Sequence, residues 1–295
     1  MTSVWTVPHN SCFPTDMPFT LPIAFDQFLE NISLKGSHTA TAESRRDRLV
    51  TLLGNAFTIL DTIPTGSIIH DTALRGHADL DIIVVFHYGR HVQGKTTEQL
   101  LEDVREALAG KSTMVKKNGQ AVTLYYSTWP NVDIVPASRV DNADGTVNHY
   151  SIPDMTHNRW LQAYPRAHDQ AMAAASDRRK QLIRMLKSWN RAHSELMSSF
   201  HLEVLVMSLP DVTLEWPSEI HYFFNKATEI LDAPLYYPRG TANRVDDYLS
   251  ALDRIFVKDR LERARDRAFS AYHASAEEAM RLYRIIFGDD FPAYG

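Results

Sequence analysis

One stretch constrains this chain more than any other: Asp79-Leu80-Asp81, followed at once by Ile82-Ile83-Val84-Val85-Phe86. A run so rich in β-branched and aromatic residues reads as a strand buried on both faces. Side chains alternate along a strand, so Asp79 and Asp81 point to the same side. Two carboxylates held side by side on a buried strand repel each other. Burying them costs several kcal/mol unless a cation neutralises them. A divalent metal is the simplest such partner, and oxygen ligands suit Mg²⁺.

Two further segments fit the same chemistry. Gly66-Ser67 follows the apolar segment Phe57-Thr58-Ile59-Leu60, which reads as a strand, a tight turn and the start of a short helix. A helix start presents backbone N–H groups and a positive dipole end, which suits a phosphate. Downstream, Val132-Asp133-Ile134-Val135 places a third carboxylate on another short apolar strand. Three carboxylates beside a phosphate cradle make a two-metal phosphoryl-transfer site. Each part is weak alone, because Gly-Ser turns are common and one Asp on a strand can be an edge charge. The constellation is specific.

Gly-Ser, then eleven residues, then Asp-x-Asp, then a distant apolar-Asp-apolar strand resembles the signature of the polymerase-β-like nucleotidyltransferases. Within that superfamily the chain is similar to the bacterial cGAS/DncV-like nucleotidyltransferases (CD-NTases) of CBASS antiphage defence. The similarity runs from about residue 40 to the C-terminus. It includes LIRMLKSWNRAHSELMSSFHLEVL, Trp160 and Pro165 before it, and the ending with Tyr283, Ile286-Phe287-Gly288 and Phe291-Pro292.

The resemblance implies an α+β fold: a nucleotidyltransferase lobe with a mixed sheet, and a C-terminal helical lobe. The expected division is 1–150 for leading helices and catalytic lobe, and 151–295 for the helical lobe closing a nucleotide cleft. It implies synthesis of a cyclic di- or oligonucleotide messenger from NTPs, with two Mg²⁺ ions held by Asp79, Asp81 and Asp133. Gly66 and Ser67 would hold the β- and γ-phosphates, Lys187 and Ser199 the donor triphosphate. Phe200 would stack on the donor base, where the family often has Tyr. The product would act on a downstream effector. Some relatives join their C-terminus to a target through an E1/E2-like partner, a chemistry that the terminal Gly295 suits.

Composition agrees with an enzyme of this kind. The 295 residues are 44% hydrophobic and 23% charged, as in an ordinary globular protein. A net charge of −5 opposes a dedicated polyanion binder. The single Cys12 rules out an internal disulfide framework and fits a reducing compartment. No apolar run reaches the ~20 residues of a membrane span, and the N-terminus lacks a signal-peptide pattern. The expectation is a cytoplasmic monomer without membrane contact.

Periodicity predicts a first helix through Phe25, Phe28, Leu29 and Ile32. A second is expected over 38–57, with Thr41 as a candidate cap and Leu49, Leu52, Leu53 and Phe57 inward. Strands are expected near 58–63, 79–87, 113–117, 120–127 and 131–136, and a helix over 96–109. After a loop at 141–156 the chain reads as helical, with a long helix over 166–193 and shorter ones near 200–209, 217–231, 243–257 and 259–286. Arg184, Lys187 and Arg191 share a face of the long helix. Of the thirteen His residues, His70 and His77 flank the key stretch and read as solvated.

One motif points elsewhere. Gly89-Arg90-His91-Val92-Gln93-Gly94-Lys95-Thr96 matches the P-loop pattern, after a strand and before a helix. Too few strand-helix units follow for the parallel sheet such a fold needs, so the segment reads as a loop at the cleft rim. Two more functions fit the residues less well: a nucleotidyltransferase acting on RNA or AMPylating a protein, and a non-catalytic nucleotide-binding module.

Overall fold

The apolar run around Asp81 is β2 (Leu80–Phe86), an inner strand of a seven-stranded mixed sheet. The computed structural model describes residues 20–236 and 244–294. Cys12 and Gly295, the candidate conjugation point, lie outside the described residues. Strands β1 (Ile59–Thr65), β2, β5 (Val132–Asp141), β4 (Ala121–Tyr125) and β3 (Met114–Asn118) lie in that order. Of these neighbours only β2 and β5 are parallel. That arrangement has none of the repeated parallel units of a P-loop protein.

Alternation along β2 serves two different cores. Ile82, Val84 and Phe86 pack beneath helices α2 (Gly36–Gly54) and α3 (Thr97–Ala107), against Leu49, Leu53, Leu100 and Val104. Ile83 and Val85 face the other way, onto Ile63, Ala137, Tyr150 and Ile152. Asp81 shares this second side. Thr41 lies within α2 and does not cap it.

The loop expected at 141–156 is a strand pair. β6 (Val147–Asp154) pairs with the far half of β5, and β7 (Arg159–Ala163) pairs with β6. The sheet therefore runs past residue 150. In β6 Ile152, Pro153 and Asp154 are buried in succession, and β7 is mostly exposed, so neither strand shows a clean alternation in the sequence.

The helix expected over 166–193 is two helices, α4 (Pro165–Ala173) and α5 (Asp177–Ala192). Ser176 breaks them: its hydroxyl accepts from the Arg179 N–H and caps α5. The same device resets the C-terminal boundaries. Ser250 opens α8 (Ala251–Tyr272) in a capping box with Asp253, and Ser275 opens α9 (Ala276–Phe287). Helices α6 (Ser199–Ser208) and α7 (Trp216–Ile230) lie between.

Helix α1 (Leu21–Ile32) belongs to the core of these later helices. Phe25 and Phe28 are fully buried against Tyr283, Phe287 and Phe291. Truncating such a ring to Ala costs about 3–5 kcal/mol. No described helix is long and apolar enough to cross a membrane.

Candidate active site

Asp79 ends the loop before β2, and Asp81 is the second residue of the strand. The parallel pairing with β5 puts Asp133 level with Asp81. Thr65, at the end of β1, is level with Asp81 on the other side. All three carboxyls sit above their ordinary pKa values. Burial pushes Asp81 up to about 7, and the charges of Asp133 and Asp79 add to it. Burial also raises Asp79 and Asp133. Among the described residues Asp133 Oδ1 is buried with no hydrogen-bond partner within bonding distance, although the neighbouring Thr123 side chain pulls this carboxyl the opposite way from burial. Repelling carboxylates with an orphaned oxygen are a donor set for a hard divalent cation.

Gly66 closes one side of this group. Its backbone is left-handed, with φ +81°, and a Cβ there would lie 1.9 Å from Asp81 Oδ2. Only glycine accommodates both constraints. Residues 66–72 then wind tightly: the His70 N–H donates to Gly66 O, and the Thr72 N–H to Ser67 O.

The turn leads into a buried polar cluster that joins sheet and helices. Lys187 of α5 donates from Nζ to Glu203 Oε1 at 2.7 Å and to Thr72 Oγ1 at 3.0 Å. Its charge pulls Asp81 the opposite way from burial. His70 is buried, not solvated as its turn position suggests. Its Nε2 lies 2.8 Å from Asp169 Oδ1, and its Nδ1 3.3 Å from Glu203 Oε2. Burial alone would lower this His, but the two carboxylates outweigh it and hold it up to about 9. Lys187 and Arg184 are buried, whereas Arg191 is exposed. The three therefore do not form one solvated strip.

Ser199 and Phe200 open α6, whose cap is Ser198. Phe200 is 44% exposed and meets the His168 ring edge-on at 5.0 Å. Glu203 follows one turn later on the same side of α6 as Ser199. Sequence reading missed Glu203, His70, His168, Asp169 and Thr72. The available signal was Glu203 itself, a lone charge in the apolar run Leu202-Glu203-Val204-Leu205-Val206. Such a residue is buried only with partners.

The P-loop match is at the wrong end of β2. A π-helical turn, Tyr88–Val92, follows Phe86. Phe86 lies about 17 Å from Asp81 at ~3.3 Å per residue. Lys95 pairs with Asp103 of α3, and Thr96 serves as the α3 cap. The segment is therefore not at the rim of the carboxylate site.

A mixed sheet with Asp-x-Asp at the start of one strand, a level Asp on its parallel neighbour and a glycine turn against them is the arrangement of a polymerase-β-like nucleotidyltransferase. Residues 19–175 match the Second Messenger Oligonucleotide or Dinucleotide Synthetase domain, and the chain belongs to that family. It is 24% identical to a probable cyclic nucleotide synthase of Bacillus cereus, over 92% of this chain and 97% of that protein. The fold matches Escherichia coli CdnC solved with ATP, at 21% identity and TM-score 0.75, over 92% of this chain and 98% of that one. It also matches the Bradyrhizobium diazoefficiens CD-NTase CdnG in complex with GTP, at 16% identity and TM-score 0.76, over 91% and 95%. Synthases of this class use divalent metal ions.

Proposed function

We propose that this enzyme joins NTPs into a cyclic di- or oligonucleotide that signals to a downstream effector. The observation that carries this is the level pair Asp81 and Asp133, with its unpartnered oxygen, inside a second-messenger synthetase domain. Asp79, Asp81 and Asp133 would hold two Mg²⁺ ions. When bound, such ions activate the attacking ribose hydroxyl and stabilise the leaving oxygen. Asp133, on the neighbouring strand, is nearest the acceptor hydroxyl in this reading.

The chain's own groups do the rest. The Gly66-Ser67 turn receives the β- and γ-phosphates, and the absence of a side chain at 66 lets it lie against Asp81. Lys187 and Ser199 bind the donor triphosphate from the helical side. Phe200, exposed at the start of α6, stacks on the donor base, a contact worth about 1–3 kcal/mol and tolerant of base identity. Without a cation, burial and mutual repulsion favour the protonated form of Asp81; a bound dication favours its carboxylate.

Incubation of the purified protein with all four NTPs and Mg²⁺, followed by mass spectrometry, tests the proposal. A phosphatase-resistant cyclic product is expected. Nucleotide transferred to a protein or tRNA, or a phosphatase-sensitive ladder, overturns it.

A further inference from the structure

Glu203 gathers four buried polar partners, yet none of the steps of nucleotide transfer calls on it. It is 4% exposed. Oε1 accepts from Thr72 Oγ1 at 2.5 Å and from Lys187 Nζ at 2.7 Å. Oε2 faces His168 Nε2 at 2.8 Å and His70 Nδ1 at 3.3 Å. These partners come from the turn after Ser67 and from helices α4 and α5, while Glu203 itself sits on α6. One carboxylate thus joins the phosphate turn to three helices.

The cluster reaches the metal strand by a second route. His70 Nε2 contacts Asp169 Oδ1, which also accepts from Thr65 Oγ1 at 2.9 Å. Thr65 is the β1 residue level with Asp81. Burial would raise Glu203, but Lys187, His168 and His70 hold it well below the usual carboxylate range. These cationic and donor groups favour its anionic form.

His70, His168 and Glu203 offer ligand atoms within 4.8 Å of one another, the spacing of a metal site. The charges argue against a cation there. Lys187 and a protonated His70 already balance Glu203 and Asp169, and one Glu203 oxygen is taken by Lys187 and Thr72. A divalent ion would leave the pocket net positive in a low dielectric.

We infer that Glu203 is the positioning residue for triphosphate binding: it fixes Lys187 and the Thr72 end of the phosphate turn in one geometry. This rests on the nucleotide reading of the site. Glu203 touches no nucleotide. It acts by holding Lys187 against Thr72, at the end of the turn that carries Ser67. Loss of its charge frees Lys187 to move off the phosphate position, while stacking on Phe200 is untouched.

The test compares Glu203→Gln with the wild-type chain, measuring binding of ATP with Mg²⁺ by calorimetry and of adenosine by ligand-observed NMR. Glu203→Gln should weaken ATP binding about tenfold or more, as loss of a charge-assisted contact does. Adenosine binding should stay unchanged. Steady-state kinetics should show the loss in KM more than in kcat, with partial rescue by Glu203→Asp. Thr72→Val provides a second reading if Glu203→Gln does not fold, and should weaken ATP selectively too. ATP affinity unchanged in either folded variant, or equal losses for ATP and adenosine, overturns the inference alone. A stoichiometric zinc content that disappears in Glu203→Gln also overturns it, in favour of a metal site. A wild-type chain that binds no ATP overturns this inference and the nucleotide reading together.

Discussion

Gly66 and Asp81 occupy space that only a missing side chain leaves open: a Cβ on Gly66 would fall 1.9 Å from Asp81 Oδ2. Gly66→Ala should therefore abolish turnover and destabilise the fold, since φ +81° strains any Cβ by about 1–2 kcal/mol before the collision is counted. Adding Asp81→Ala should recover part of the stability. A double-mutant cycle by chemical denaturation measures this coupling. Additive losses would show that the close approach is not the cause.

Asp79→Ala with Asp81→Ala should remove turnover while leaving the protein folded. Mass spectrometry of the NTP products reads activity, and circular dichroism reads the fold. Activity above a few per cent of wild type would refute the metal role of these two carboxylates.

The raised Asp81 carboxyl gives a stability signature in chelator. Its pKa is about 7 in the fold against 3.8 ordinarily. Folding then takes up a proton between those values, so stability falls as pH climbs from about 4 to about 7. Asp81→Asn should flatten that slope and raise the melting temperature at neutral pH with EDTA present. An unchanged slope contradicts the crowding of these carboxylates.

His70 works in a separate window. Held up to about 9 against an ordinary 6.5, it stabilises the fold fully below pH 6.5, and that contribution is lost as pH rises towards 9. Melting curves of wild type and His70→Asn should differ most at pH 6 and converge near pH 9.5. Parallel curves across this range would mean that His70 is neutral in the fold.

Lys95→Ala should leave NTP turnover within about twofold of wild type. Its ammonium pairs with Asp103, a half-exposed contact worth about 0.2–1 kcal/mol. A collapse of triphosphate binding in this variant would restore the P-loop reading.

The grouping of the carboxylates was readable because it depends on local rules. Alternation puts Asp79 and Asp81 on one side, and the β-branched run after them requires burial. The Asp133 segment has the same texture. The polar cluster was hidden because it is assembled by packing: Thr72, His168, Lys187 and Glu203 come from separate segments, and no spacing rule links them. His70 misled for the same reason, since a turn residue is solvated unless another element covers it. The β6–β7 pair escaped notice because Val147 and Trp160 are exposed while Asp154 is buried, against the usual alternation. The break at Ser176 was legible in principle, as a capping Ser at the end of an Ala-rich stretch.

The parallel contact between β2 and β5 has a consequence for folding. A slip of one residue in that pairing would turn Asp133 to the opposite face of the sheet. It would also carry Ile134 out of the core it fills. A misregistered chain would thus lose its third carboxylate and part of its hydrophobic packing in one step. One register thus serves both the carboxylate group and the core beneath it.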